Sequence, residues 1–362
     1  MKCSFDSCHW DMIPIPQKDR LIGNWIIEQF YYNKKNIPFC AQFYKGIEFI
    51  NGDIQEIVQK MPVMNKQSIK SLYSPYELVN KEMLNAPHKL KVQRGTGGST
   101  GKPVSIFYSE NDWRASLLTH LRHIGPILHR VPKPWIVYNN YHAGHIAALI
   151  FSEALTKLGA IVIARHFCLN DEDALQELIN HKCNIILTPP TTTHKGTSLE
   201  KFLDIDTESG THYINGRNVQ LLLLSSTSLS GLIYEEVRSL NIPFMLNFYG
   251  STEVLPVAIS CEKDPFSFHL VEGHIQASVV DENQVPILTD GRGKILTGRI
   301  RSQTKSRKLS PADSMGFLNF FTGDEACITS ELCACGRNTR TISQIERVSQ
   351  IEEKLLTGCQ AW

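Results

Sequence analysis

The sequence predicts an α/β protein: a doubly wound, largely parallel sheet with helices over residues 1–270, then a smaller β-rich subdomain and short tail over 271–362. Three observations predict it. From residue 135 onward, short apolar runs alternate with amphipathic stretches of helical length, as parallel strands joined by crossover helices require. After about residue 271 the runs shorten and are separated by polar turns, the pattern of hairpins. Ahead of both lies Arg94-Gly-Thr-Gly-Gly-Ser-Thr-Gly-Lys-Pro103, with apolar alternation resuming at once in Val104-Ser-Ile-Phe-Tyr108, so a tight strand–loop–strand is expected there.

Taken in order, Leu21, Ile22, Trp25, Ile26, Phe30 and Tyr31 recur at helical spacing and predict an amphipathic helix over 17–33. Met61-Pro-Val-Met-Asn-Lys66 breaks into a helix-like stretch through Ile69 and Leu72. Ser109-Glu-Asn-Asp112 is a capping-box start for a helix running to about Gly125. Strands follow at Trp135–Tyr138, Ile161–Ala164, Asn184–Leu187, Val219–Leu224 and Pro243–Phe248, with helices over 144–158, 171–182 and 230–240. In the β-rich part, His274–Val280 and Val285–Leu288 form a hairpin about a polar turn, continued by Lys294–Thr297 and Ala326–Ile328. Arg299 to Lys308 carries five basic residues in ten and reads as a solvated loop, or as a patch for an anion.

A chain of 362 residues can bury a large core, and 42% hydrophobic with 20% charged residues is ordinary for a globular protein. A net charge of +1 gives no reason to expect nucleic acid or an acidic membrane as partner. There is no signal-peptide core at the N-terminus, and ten scattered cysteines do not read as a disulfide framework, so a reduced, cytoplasmic protein is expected.

Two stretches carry candidate chemistry. In Arg94–Pro103 four glycines allow successive N–H groups to converge on an anion, while Thr96, Ser99 and Thr100 add hydroxyls and Lys102 a point charge. A flexible linker has the same composition. Asn247-Phe-Tyr-Gly-Ser-Thr-Glu253 falls at the carboxyl end of a predicted strand, where open α/β sheets bind ligands. Gly250 would turn the chain away, leaving Tyr249 to stack on a base, Thr252 to meet a phosphate and Glu253 to hold Mg²⁺. A strand-to-helix turn capped by Ser251 or Thr252 is the alternative.

Together these stretches resemble the adenylate-forming superfamily of acyl-CoA synthetases, in particular its phenylacetate–CoA ligase-like branch, from about Met61 to Arg347. Met61–Lys66 is similar to that branch's Leu-Pro-Val-x-x-Lys lead-in, Thr96–Pro103 to its phosphate loop and Tyr249–Glu253 to its Tyr-Gly-x-Thr-Glu motif. Thr322-Gly-Asp324 and Cys333-Ala-Cys-Gly-Arg337 match two later segments. The resemblance implies the large N-terminal domain of an adenylate-forming enzyme, which activates a carboxylic acid, here an aromatic one, as acyl-AMP with release of pyrophosphate. It implies ATP and Mg²⁺, with Lys102, Thr252, Glu253 and Arg347 catalytic and Glu253 holding the metal. Thr96, Gly97, Gly98, Ser99, Thr100, Gly101, Ser226, Thr227, Tyr249, Gly250, Ser251 and Asp324 would hold the nucleotide. Tyr141, His142, Thr188 and Pro189 would line the acyl pocket.

The same resemblance implies a structural zinc on Cys261, His269, Cys333 and Cys335. Two thiols one residue apart, as in Cys333-x-Cys335, cannot complete a tetrahedral site alone. Three departures are visible. Gly316-Phe-Leu-Asn319 stands where the branch has Pro-x-x-Arg, and Ile345-Glu-Arg347 is a worn form of the hinge motif. The sequence given ends 15 residues after Arg347, so the expectation is a chain without the mobile C-terminal domain. Such short members occur in phenazine antibiotic pathways, which implies transfer of the acyl group to CoA, a carrier or a partner reductase. The acyl-protein synthetases, also short, imply Cys359 as acceptor instead. A homodimer is the assembly expected.

Overall fold

The computed structural model describes residues 8–49, 53–70, 84, 90–95, 105–142, 144–192, 198–281, 283, 285–306 and 308–348. After a 3-10 turn at Cys8–Met12 come α1 (Ile15–Asn36), α2 (Pro38–Phe43), α3 (Ile54–Lys60), α4 (Lys66–Lys70), β1 (Leu90–Gly95), β2 (Ser105–Ser109) and α5 (Glu110–Leu128). The alternating region supplies β3 (Ile136–Asn139), α6 (Ile146–Lys157), β4 (Ile161–Ala164), α7 (Asp171–Asn180), β5 (Ile185–Thr188), α8 (Leu199–Glu208), β6 (Leu221–Ser225), α9 (Gly231–Ser239) and β7 (Phe244–Tyr249). Then follow β8 (Ala258–Ser260), β9 (Phe268–Leu270), β10 (Ile275–Val280), β11 (Pro286–Ile287), β12 (Gly291–Arg299), β13 (Ser302–Gln303), β14 (Leu309–Ser310), β15 (Phe320–Thr329) and β16 (Thr341–Arg347).

The chain forms two compact units. One comprises Leu117–Gly250 and Ile259–Phe268; the other comprises Met1–Ser116, Ser251–Ala258 and His269–Trp362. The expected α/β fold is present, but the units do not part at residue 270. The N-terminal helices belong with the β-rich segment because charged groups far apart in sequence are buried against one another there. Lys18 of α1, fully buried, donates to Glu272 at 2.5 Å, and Arg340 donates to both Glu272 at 2.8 Å and Asp19 at 2.7 Å.

In the first unit β7, β6, β5, β3 and β4 lie side by side in that order, all parallel. From β3 the chain goes one way to β4 and returns to β5 on the other side, which makes the sheet doubly wound. β5 and β6 are buried along their length and apolar up to their final residues, Thr188 and Ser225, as strands covered on both faces must be. Leu178, Ile186, Phe202, Leu222 and Ile233 share one core cluster with Tyr138. Helix starts are fixed locally: Asn170 accepts from the Asp173 N–H at 2.7 Å, and Ser198 and Ser230 cap α8 and α9 in the same way at 3.2 Å. The helix at α8 was not anticipated from the sequence.

In the second unit β11, β10, β12, β15 and β16 form an antiparallel series. β1 and β2 pair separately, with Gly95 opposite Ser105, so the predicted strand–loop–strand holds at both flanks. The basic stretch departs from expectation. Arg299 and Arg301 are buried, and of the described basic residues in the stretch Lys305 and Lys308 are the exposed ones. Arg299 sits at the end of β12, where Asp112 of α5 lies 3.2 Å from its guanidinium.

His274, beside this ion pair, is buried and neutral. Its Nδ1–H donates to the Arg301 carbonyl at 3.2 Å, which leaves Nε2 to accept from Ser116 Oγ at 3.3 Å. Burial pushes its pKa down to about 4. The unfolded chain would therefore bind a proton near the ordinary histidine value, and the folded chain would not. Stability held above about pH 6.5 should be lost as pH falls toward 4, and His274→Gln should flatten that part of a urea-midpoint profile.

Candidate active site

The reversal of strand order falls between β3 and β5, and the crevice outside the carboxyl ends of such strands is where doubly wound sheets take ligands. Asn140, Tyr141, Thr188 and Pro189 stand there, all buried. Asn140 Nδ2 donates to Thr188 Oγ1 at 3.0 Å, and that hydroxyl donates to the Pro189 carbonyl at 3.3 Å. Thr188 thus fastens the two strand ends together. Tyr141 donates to the Ser225 carbonyl at 2.7 Å and stacks on His145, centroids 5.0 Å apart. His145 caps α6 by accepting from the Ala147 N–H at 3.1 Å. Burial and the His142 charge push its pKa down to about 4, so at neutral pH Nε2 bears the proton and is the donor. His142 itself is exposed.

At the end of β6, Ser226 has φ +82°, the left-handed region that disfavours a β-carbon. Its neighbour Thr227 accepts from the Thr191 N–H at 3.1 Å, which ties the loops after β5 and β6. Ser226→Gly should raise unfolding free energy by about 1 kcal/mol through release of that strain, read from a urea melt.

β7 ends at Tyr249, and after Gly250 the chain enters the second unit, where no helix follows among the described residues. Ser251 N–H donates to the Val254 carbonyl at 3.0 Å, and Ser251 Oγ accepts from Val254 N–H at 3.2 Å. This closed turn displays Thr252 and Glu253. The Glu253 side chain is almost fully buried, with Lys66 Nζ 3.6 Å from its Oε1. That is an ionic contact, and Oε1 has no hydrogen-bond partner among the described residues. A buried anionic oxygen left in this state suits a hard cation such as Mg²⁺.

Lys66 was visible in the sequence only as part of a motif; its approach to Glu253 is a tertiary result. Met64 N–H donates to the Asn319 carbonyl at 2.9 Å and Phe321 N–H to the Met64 carbonyl at 2.8 Å, which clamps the lead-in segment against β15. Asn319, the departure from an expected arginine, spends its amide on the Val58 and Met61 carbonyls at 2.7 and 3.1 Å. It is a buried brace at the end of α3, in place of a cation.

Asp324 lies opposite Arg347 in the β15–β16 register and is 2.9 Å from its guanidinium. Gly323, at φ +89°, lets that guanidinium lie against the backbone; a β-carbon there would stand 3.0 Å from it.

His269, Cys333 and Cys335 of the second unit have ligand atoms within 4.8 Å of one another. His269 Nδ1 is 2.8 Å from Thr339 Oγ1, and its Nε2 is 3.2 Å from Cys335 Sγ. Such outer bonding fixes the ring as metal-bound histidines are fixed. Cys261 belongs to the other unit, where its Sγ accepts from the Lys263 N–H at 3.3 Å. Thr96, Gly97, Gly98, Ser99, Thr100, Gly101, Lys102 and Cys359 lie outside the described residues.

Residues 64–301 match the family model described as AMP-binding enzyme, more than half of the chain. The chain belongs to the AMP-binding enzyme family. Lys66, the glycine-rich segment and Tyr249–Glu253 fall within the match, and Asp324 and Arg347 lie beyond it. No curated protein sequence matches this AMP-binding enzyme. Among solved structures it is similar to an open conformation of 2-hydroxyisobutyryl-CoA ligase in complex with 2-HIB-AMP and CoA. The TM-score is 0.77 at 14% identity, over 94% of this chain and 77% of that one. The same ligase in its thioesterification state gives 0.78 at 14%, over 94% and 70%. A long-chain-fatty-acid-CoA ligase from Archaeoglobus fulgidus gives 0.50 at 15%, over 77% and 55%. At these identities the likeness is one of fold.

Proposed function

We propose that this AMP-binding enzyme activates a carboxylic acid with ATP. A carboxylate oxygen attacks the α-phosphorus, the bond to the β-phosphate breaks, and acyl-AMP and pyrophosphate form. The observation that carries the reading is Glu253: a buried carboxylate beside Lys66, on a closed turn following the carboxyl end of β7. Glu253 would hold Mg²⁺, which supplies positive charge against the phosphates. Lys66 is placed to add a second positive charge, so that anionic repulsion toward the attacking carboxylate is offset. By resemblance, Tyr249 lies against adenine with Ser226 and Thr227 beside it. Thr252 meets the α-phosphate, Asp324 the ribose with Arg347 behind it, and Thr96–Lys102 the remaining phosphates.

The acid is aromatic in this reading, as in the phenylacetate–CoA ligase-like branch; the stacked Tyr141 and His145 supply a flat wall at the switch point. The acyl group then passes to CoA, a carrier or a partner reductase. Pyrophosphate exchange into ATP, measured with a panel of aromatic and aliphatic acids, tests the activity. Exchange dependent on an aromatic acid is expected, and nucleotide binding without exchange across the panel would overturn it. A structural zinc on His269, Cys333, Cys335 and, from the sequence, Cys261 belongs to the same reading. Elemental analysis of protein prepared without chelators should find one zinc per chain, and none would remove the metal.

A further inference from the structure

We propose that Tyr108 is a positioning residue for the metal-binding turn, an inference that rests on the reading of Glu253 as the Mg²⁺ ligand. Tyr108 lies in β2, the strand into which the glycine-rich segment runs, and it is fully buried. Its hydroxyl donates to the Thr252 carbonyl at 3.0 Å. That carbonyl belongs to the planar peptide joining Thr252 to Glu253, so holding its oxygen sets the direction in which the Glu253 backbone leaves the turn. Within the turn, the Ser251–Val254 bonds fix its width but not its tilt. The Tyr108 hydroxyl supplies the tilt.

The ring is itself held from two sides. The Arg299 guanidinium lies over its face at 4.2 Å, and Trp113 meets it at 5.7 Å and 82°. Arg299 in turn is fixed by Ser314 Oγ at 2.8 Å and Asp112 at 3.2 Å. A phenol whose ring cannot rock delivers its hydroxyl to one place, which is what a positioning group for a coordinating carboxylate needs. Burial also pushes the Tyr108 pKa well up, so the hydroxyl keeps the proton that it donates.

Tyr108→Phe keeps the ring and its packing and removes only the donor. The test measures ATP affinity of the full chain by calorimetry, with stepped Mg²⁺ and separately in EDTA, beside a thermal melt of the nucleotide-free protein. Tyr108→Phe should lose about tenfold of the affinity that Mg²⁺ adds, from the loss of one hydrogen bond at a constrained site. It should leave the EDTA affinity as in the parent and the melting temperature within a few degrees. A merely structural role would lower the melting temperature and leave the Mg²⁺ increment unchanged, which would overturn the inference. Failure of the variant to fold would overturn it as well, because a hydroxyl that only positions is not needed for folding. Glu253→Gln, run in parallel, separates the two claims. If Glu253→Gln abolishes the Mg²⁺ increment and Tyr108→Phe does not change it, the positioning role falls and the metal role stands. If neither variant changes it, the metal reading falls.

Discussion

Glu253→Gln should lower acid-dependent pyrophosphate exchange by about 10²- to 10³-fold while leaving the fold intact, the scale on which removal of one preorganised electrostatic group acts. The substitution keeps the shape and one oxygen but removes the negative charge that a hard cation requires. It also leaves Lys66, only 16% exposed at its side chain, without its 3.6 Å counter-charge, so the ammonium is freed toward solvent or phosphate. Raising Mg²⁺ should recover part of the rate. An exchange rate equal to the parent's at ordinary Mg²⁺ would take Glu253 out of the chemistry. A fall explained by a lower melting temperature alone would do the same.

The largest loss of stability is expected from Arg299→Met. The guanidinium and the Asp112 carboxylate are both fully buried. Asp112 also accepts from the backbone N–H of Ser314 at 3.0 Å and from that of Asp313 at 3.2 Å, and from the hydroxyls of Ser302 and Ser314. Taking away the cation leaves a carboxylate that cannot reach water, at a cost of about 3–5 kcal/mol. Urea denaturation should show the midpoint fall, and Arg299→Met combined with Asp112→Leu should restore part of it. A single-variant loss below about 1 kcal/mol would mean that the pair contributes little beyond packing.

The parallel half of the molecule was legible because its signals are local. Leu221–Leu224 reads as a buried strand from four consecutive leucines, and Asn170 and Ser230 mark helix starts through their own side chains. β4 falls where the sequence places it, at Ile161–Ala164. What was not legible depends on partners distant in the chain. The charge of the stretch 299–308 predicts a solvated loop, yet Arg299 is buried because Asp112, 187 residues earlier, meets it. β16 was visible only as a worn hinge motif, because an antiparallel strand at this position is defined by pairing with β15. Of the candidate site, the motif residues were readable, while Lys66 beside Glu253 and Tyr108 beneath Thr252 required the fold.

The ion pairs that hold α1 also bear on the order in which a nascent chain can take shape. Lys18 and Asp19 are made well before their partners: Glu272 emerges some 250 residues after Lys18, and Arg340 later still. Until then α1 carries a lysine destined for complete burial with no carboxylate to meet it. The unit comprising Leu117–Gly250 and Ile259–Phe268 is nearly continuous in sequence, and its parallel strands find their partners as soon as they are synthesised. The segments of this unit are thus all synthesised before Glu272 and Arg340, so the middle of the chain can fold while α1 still lacks its carboxylate partner.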